Sequence, residues 1–225
     1  MEKIDCPHCG QSNFSESEVC WACFKNLRAP KETPSVRETA PASAGDALAE
    51  PTGSLRGAMG RFALTLALAL FYAQWWRTDN YFSPLDHINL AFHEAGHVFL
   101  GFFGEFIMTA GGTVFQLLFP AICGIHLWRQ GSRLGWQLCL FWLGENLLNV
   151  SIYAGDALSQ ALPLVGGGVH DWTYLLTETG LISHTRGTAR TIFAAGSVII
   201  FCALFSVLRD GMAMMPAGGR QKTAR

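Results

Sequence analysis

Residues 85–106 read LDHINLAFHEAGHVFLGFFGEF, which sets two histidines and a glutamate among leucine, phenylalanine, valine, alanine and glycine. His93, Glu94 and His97 form the pattern H-E-x-x-H. On a helix, residues four apart share a face, so both imidazoles can bind one Zn²⁺ at roughly 2.0–2.1 Å, with Glu94 beside it as a general base. Insertion of an ionisable side chain into the centre of a bilayer costs about 2.5–3.5 kcal/mol. A motif that arose by chance and bound no metal would have nothing to offset this cost. The stretch therefore predicts a catalytic zinc site on an apolar helix.

The composition divides the chain into two parts. Its 225 residues are 50% hydrophobic and 15% charged, with a formal net charge of -1 and a mean hydropathy of +0.24. The first 60 or so residues hold a large share of the charges, and the part that follows is a series of apolar runs. A water-soluble domain would mix the two kinds of residue, so the second part is expected to lie in a membrane, in contact with lipid. Because basic residues are not in surplus, no nucleic-acid partner is expected.

Five apolar segments define the fold class. They span approximately residues 60–76, 87–104, 112–128, 134–156 and 190–208. We therefore expect an all-α polytopic membrane protein with about five apolar helices. Between the second and third segments, FIMTAGG predicts a brief extended piece with a glycine turn.

Residues 1–27 predict a small zinc ribbon. Two C-x-x-C pairs, ten residues apart, can bring four thiolates to one tetrahedral Zn²⁺ at roughly 2.3 Å. The four thiolates are those of Cys6, Cys9, Cys20 and Cys23. The module resembles the short zinc ribbons at the ends of many bacterial proteins, although Phe24 stands where a glycine is common in the second knuckle. A redox-active pair of dithiols is the alternative. The ribbon is expected to contact a partner, a substrate tail or a regulator.

The remaining boundaries follow from composition. Residues 28–58 are rich in Pro, Ala, Ser, Thr and Glu, which predicts a disordered linker. Residues 59–209 form the membrane-embedded domain, and residues 210–225 form a basic tail. Thiolates suit a reducing compartment, so we expect a bacterial inner membrane with the ribbon in the cytoplasm. Five crossings would then leave the basic tail outside, against the positive-inside tendency, so the sequence leaves the topology open.

A catalytic zinc also needs a third protein ligand and an open position. The segment WLGENLLNVSIYAGDALSQ offers Glu145 and Asp156 along one helical stripe, and the loop GGGVHDW offers His170 and Asp171. Asp171 has a second possible role, as the cap of a helix that begins near Trp172. Two amides are candidates to hydrogen-bond to the metal ligands or to contact substrate. They are Asn89, four residues before His93, and Asn149, four residues after Glu145.

An H-E-x-x-H on an apolar helix, followed two apolar segments later by Asn146-Leu147-Leu148 and then an aspartate, resembles the site-2 protease family of intramembrane zinc metalloproteases. The resemblance covers roughly residues 60–208, and TAGGTVFQ is similar to the short extended element that lies near substrate in that family. It implies one catalytic zinc besides the structural zinc, a peptide or membrane-protein substrate, and hydrolysis within or near the bilayer.

The resemblance also ranks the ligands. It places Asp156 first as the third ligand, ahead of His170 and Asp171, with Glu145 below them, and it makes Asn146 a candidate for supporting the site or contacting substrate. The family's proline is absent, and Ala157 replaces its glycine. Two other functions remain open: a catalytically silent membrane protein that keeps zinc for structure, and a membrane-tethered adaptor that acts through its ribbon. Glu94 argues against the first, because a structural site does not need a base.

Overall fold

The computed structural model describes residues 3–28, 53–78, 80–164 and 168–216. Most of the predicted linker (28–58) and the end of the predicted basic tail (210–225) lie outside these residues. The described residues fall into two compact units, the first ending at Arg28 and the second beginning at Gly53.

The first unit is built around its cysteines. Strand β1 (Lys3–Asp5) pairs antiparallel with β2 (Ser12–Phe14). A tight turn follows each C-x-x-C pair, where the N–H of Gly10 donates to the carbonyl of Cys6 and the N–H of Phe24 donates to that of Cys20. Gly10 has φ 77° and Phe24 has φ 56°. The second turn therefore has the same left-handed form as the first, with a phenylalanine at the position that favours glycine.

The second unit is helical. Its helices within the described residues are α1 (Leu55–Arg77), α2 (Asp86–Leu100), α3 (Glu105–Arg129), α4 (Arg133–Gly155), α5 (Asp171–Glu178) and α6 (Thr185–Ala213). Two short 3₁₀ turns, Gly101–Phe103 and Ile182–His184, precede α3 and α6. The prediction of a mostly helical chain is confirmed. FIMTAGG is the first part of α3, so the predicted extended piece is wrong.

Three helical segments are long and apolar enough to cross a membrane: Leu55–Arg77, Glu105–Arg129 and Ile182–Ala213. The prediction of about five such helices is too high for the described residues. Helix α2 has only 15 residues, against the roughly 20 that a crossing requires. Helix α4 has 23 residues but buries several polar side chains, among them Gln137, Glu145 and Asn146, which lower its mean hydropathy.

Helix α4 packs against both α3 and α6, and glycines allow these helices to approach closely. A Cβ atom added at Gly144 would lie 2.8 Å from the carbonyl oxygen of Gly196 on α6. A Cβ atom added at Gly196 would lie 2.7 Å from the carbonyl oxygen of Gly144. Small residues at such crossings let backbones meet where the hydrophobic effect does not drive association. The apolar core beside this crossing contains Tyr72, Trp75, Phe141, Leu148, Ile200, Ala203 and Leu204.

Helix α6 extends past the predicted start of the basic tail at residue 210. Asp210 is 1% exposed, and its carboxylate accepts hydrogen bonds from Gln137 at 2.7 Å and from Arg133 at 2.8 Å. Burial of a carboxylate requires such partners. The first residues of the predicted tail therefore belong to the helical unit, which continues to Ala213.

Candidate metal centre

The two histidines of H-E-x-x-H lie on one face of α2 and meet a carboxylate from the start of α5. An Oδ2 atom of Asp171 lies 2.8 Å from Nε2 of His93 and 3.3 Å from Nε2 of His97. One ligand atom from each of these three residues lies within 4.8 Å of the others. This group could hold a metal ion, and it contains Asp171 rather than Asp156.

The opposite nitrogen of each imidazole faces an oxygen that can only accept. Nδ1 of His97 lies 2.9 Å from the carbonyl oxygen of Met108, and Nδ1 of His93 lies 3.3 Å from Oε1 of Gln116. Gln116 in turn donates to Oδ1 of Asn149 at 2.8 Å. When a metal is bound at Nε2, each Nδ1 can carry the proton and donate it to these oxygens, which would hold both rings in the orientation that metal binding requires.

A glycine pair on α3 makes room for the two imidazoles. A Cβ atom at Gly112 would lie 2.6 Å from Nε2 of His93 and 2.7 Å from Nε2 of His97. At the neighbouring position, a Cβ atom at Gly111 would lie 2.6 Å from the carbonyl oxygen of Gly96 on α2. The glycines predicted to form a turn instead bring α3 against α2, which explains why this stretch is helical.

Asp171 can reach the histidines because another residue caps its helix. His170 is the N-cap of α5, and its Nδ1 accepts from the backbone N–H of Thr173 at 3.3 Å. The carboxylate of Asp171 is thereby free to turn toward α2. Burial alone would raise the pKa of Asp171, but hydrogen bonding with His93 and His97 lowers it to about 2. Asp171 is therefore an anion at neutral pH.

The ranking of Asp156 as third ligand is corrected by its contacts. Its Oδ1 accepts from Ser159 and from the backbone N–H of Ala161, and its Oδ2 accepts from the N–H of Leu162 at 3.0 Å. Burial alone would raise the pKa of Asp156, but these hydrogen bonds lower it below the ordinary value. Asp156 lies at the C-terminal end of α4, where it binds the N–H groups of the following turn. Its contact toward the site is with Nε2 of His170, at 3.5 Å.

Glu145 and Asn89 belong to a separate buried cluster. Asn89 donates to Oε2 of Glu145 and to Oδ1 of Asp86, at 3.0 Å each, and accepts from Trp142 at 2.8 Å. Glu145 is fully buried and also accepts from the hydroxyl of Ser83. These bonds tie α2 to α4 one helical turn before His93. Neither residue has a hydrogen bond or ion pair with the histidines or Asp171 in the described structure.

Of the three amides singled out from the sequence, Asn149 alone is linked to the histidines. Asn149 accepts a hydrogen bond from Gln116, and Gln116 contacts Nδ1 of His93. Asn146 donates to the carbonyl oxygen of Trp142 within its own helix. Gln116 was missed, although the same reasoning would have found it. It is an isolated amide in the apolar run TVFQLLFP, where a polar side chain needs a partner.

Glu94 lines a cavity of about 550 Å³ together with the three residues of the metal centre. Its side chain is exposed on α2, next to His93. Tyr153 at the end of α4 and residues 162–164 of the following loop also line this cavity. The cavity therefore combines a possible metal site, a free carboxylate and room for a ligand, which together can support hydrolysis.

The four cysteines of the first unit form the second possible metal site. The Sγ atoms of Cys6 and Cys23 are 3.7 Å apart, as are those of Cys9 and Cys20, and all four lie within 4.8 Å of one another. Burial would raise the pKa of Cys20, but hydrogen bonds from nearby backbone N–H groups lower it to about 6. This thiol is therefore ready to bind a metal ion as a thiolate at neutral pH.

Comparison with known proteins adds no assignment: no protein-family model matches the chain, and no match is found among curated proteins or solved structures. The functional argument therefore depends on the geometry of the two sites.

Proposed function

We propose that the second unit is a zinc peptidase that hydrolyses peptide bonds within or near the bilayer, as the resemblance to site-2 proteases implies. The observation that carries the proposal is the position of Glu94. This carboxylate shares one cavity with His93, His97 and Asp171, and the described structure gives it no ion-pair partner. A site that served only to stabilise the fold would not need a free base in a cavity.

The geometry supports zinc at both sites. Ligands at about 2.0–2.1 Å from a tetrahedral ion lie about 3.3–3.4 Å apart, and thiolates at about 2.3 Å lie about 3.8 Å apart. The separation from Asp171 to His97 is 3.3 Å and those within the cysteine pairs are 3.7 Å, which agree with these values. The separation from Asp171 to His93 is 2.8 Å, a direct hydrogen-bond distance that would have to lengthen by about 0.5 Å around zinc. Two histidines with one carboxylate leave a fourth position open, whereas four cysteines close the site. We therefore propose one catalytic and one structural zinc.

The protein's own groups have complementary roles in this reaction. His93, His97 and Asp171 would hold zinc, which when bound lowers the pKa of water and polarises a carbonyl group. Glu94 accepts a proton from the attacking water and returns it to the departing amine. Residues 162–164 also line the cavity that holds these groups.

A substrate within the membrane is supported by the depth of the site along α3. The metal centre lies at the level of Gly112, seven residues after the first residue of the candidate span Glu105–Arg129. At 1.5 Å per residue this is about 10 Å from the end of the span. A peptide bond at that depth belongs to a membrane-embedded segment or to one that has entered from the surface.

The test is hydrolysis in H₂¹⁸O. The purified, zinc-loaded protein in liposomes is given a panel of synthetic single-span peptides, and the products are analysed by mass spectrometry. Cleavage by hydrolysis adds ¹⁸O to each new C-terminal carboxylate. Glu94→Gln should keep both metal ions but form no product, because the amide cannot accept the proton. Equal cleavage by Glu94→Gln, or no cleavage by the wild type, would refute the peptidase.

An adaptor function is the second candidate, supported by the surface of the first unit. Trp21 is 64% exposed and Phe24 is 79% exposed, which is unusual for aromatic side chains without a partner. We propose that this surface binds a regulator or a substrate tail on the cytoplasmic side of a bacterial inner membrane, where thiolates persist. Removal of residues 1–27 should then change substrate choice while cleavage in liposomes persists. Loss of all cleavage would show that the ribbon is part of the enzyme itself.

A further inference from the structure

Tyr153 contacts the candidate metal centre through its aromatic ring. Its ring lies against His170 with centroids 4.2 Å apart, and its centroid is 5.9 Å from that of His93 at an interplanar angle of 73°. Contacts on two sides fix the direction of the ring. The phenolic oxygen lies 3.3 Å from the backbone N–H of Asp171, next to the carboxylate that faces the histidines.

The hydrogen bonds of this phenol leave one donor free. The oxygen accepts from the N–H of Asp171, and no acceptor for its own O–H lies within hydrogen-bond distance among the described residues. Because Tyr153 lines the cavity, its O–H can point to a ligand there. Tyr81 and Tyr174 also line the cavity, but neither has a hydrogen bond to a residue of the metal centre in the described structure.

We propose that Tyr153 is a catalytic residue of the peptidase, donating a hydrogen bond to the carbonyl oxygen of the scissile peptide as that oxygen becomes negative. The assignment rests on the proposed function and adds the group that stabilises the transition state. A donor whose direction is already fixed needs no reorganisation when the charge develops. Its anchor on the N–H of Asp171 keeps the donor beside the ligand that holds the metal.

The step balances without a further reactant. An oxygen lone pair of water forms the new C–O bond, the C=O π pair moves to the carbonyl oxygen, and Glu94 takes the proton of the water. Tyr153 keeps its own proton and supplies only a hydrogen bond. When the pair returns from oxygen to carbon, the C–N bond breaks, and the amine receives the proton from Glu94.

The test compares Tyr153→Phe with Tyr72→Phe. Tyr72 lies on α1, outside the cavity, and donates to Ser197 at 2.9 Å, so its variant controls for the loss of a buried phenolic hydrogen bond. The readouts are metal content, kcat and KM for a peptide cleaved in the ¹⁸O assay, and the affinities of a phosphinic peptide and an alkyl thiol. The phosphinic group mimics the charged tetrahedral carbon, whereas a thiol binds the metal without an oxygen to accept from Tyr153.

For Tyr153→Phe we expect kcat to fall by about 10²–10³-fold with little change in KM or metal content, because one such donor is worth that much in comparable sites. Affinity for the phosphinic peptide should fall at least tenfold, and affinity for the thiol should stay constant. Tyr72→Phe should retain the wild-type kcat and both affinities.

The other outcomes separate the two proposals. If the wild type cleaves peptides and Tyr153→Phe keeps its kcat, the assignment of Tyr153 is wrong and the peptidase stands. If Tyr153→Phe loses metal and both affinities together, the residue supports the fold of the site, and the catalytic assignment is wrong as well. If the wild type neither cleaves a peptide nor binds the phosphinic probe, both proposals are wrong.

Discussion

Replacement of Gly112 by alanine should weaken metal binding at the histidine site without unfolding the protein. The added Cβ would lie 2.6 Å from His93 and 2.7 Å from His97, about 0.7–0.8 Å inside ordinary contact distance. Both rings are held from behind, by Gln116 and by the carbonyl of Met108, so they cannot move away without losing those bonds. Overpacking of this kind costs about 1–3 kcal/mol, which corresponds to a roughly 5–150-fold weaker metal affinity.

The cysteine cluster provides an internal reference for this measurement. Metal analysis of the purified variant, with a competing chelator, should give two ions per wild-type chain and one per Gly112→Ala chain. Gly60→Ala is the matched control, because a Cβ at that position of α1 has nothing within 4 Å. It should keep both ions. A Gly112→Ala protein that retained the wild-type affinity for its second ion would show that His93 and His97 do not bind metal in the arrangement described here.

Four further predictions follow from individual contacts. Asp171→Asn should lose the metal of the histidine site, whereas Asp156→Asn should lose less and recover with excess metal; equal losses in metal analysis would contradict the assignment. Gln116→Leu should weaken metal affinity by about 10–100-fold in a chelator titration, since it frees the ring of His93, and an unchanged affinity would remove its role. Phe24→Gly should stabilise the first unit by about 1–2 kcal/mol against chelator-induced unfolding by relieving a positive φ, and Phe24→Ala should not; equal gains would point to the side chain instead. The lowered pKa of Asp156 means that its stabilisation is full above the ordinary value of 3.8 and is lost as pH falls through the lowered value. The difference in Tm between the wild type and Asp156→Asn should therefore stay constant from neutral pH down to that ordinary value and shrink below it; a difference that persisted under more acid conditions would exclude this linkage.

The sequence was sufficient for features that depend on local spacing. Residues four apart on a helix share a face, so His93 and His97 were placed together before any tertiary contact was known. The two C-x-x-C pairs likewise predicted a cluster, because each pair forms its own turn. The prediction of about five apolar helices was too high, because three helical segments among the described residues are long and apolar enough to span a membrane. The sequence could not show that α4 buries polar side chains against its neighbours.

Features that depend on how segments meet were predicted less well. The glycines of TAGG are compatible with a turn or with a close helix crossing. The sequence does not show that Gly96, on another helix, faces them. The structure shows that a Cβ at Gly111 would meet the carbonyl of Gly96, so packing of α3 on α2 decides the conformation. The sequence ranked Asp156 above Asp171 for a similar reason, since which carboxylate meets the histidines depends on the path of the loop after α4.

Asp156 and Asp171 have different roles, which their contacts separate. Asp156 binds the N–H groups of Ala161 and Leu162, which fixes the first turn of the loop, and lies 3.5 Å from His170. Burial lowers the pKa of His170, so its ring is neutral, and its Nδ1 remains an acceptor that caps α5. With the cap supplied by the preceding residue, the Asp171 carboxylate is free to face the histidines. We therefore expect Asp156 to affect the candidate metal centre indirectly, by holding the loop. Asp156→Asn should lower the fraction of molecules in which the site is formed more than it lowers the metal affinity of the formed site.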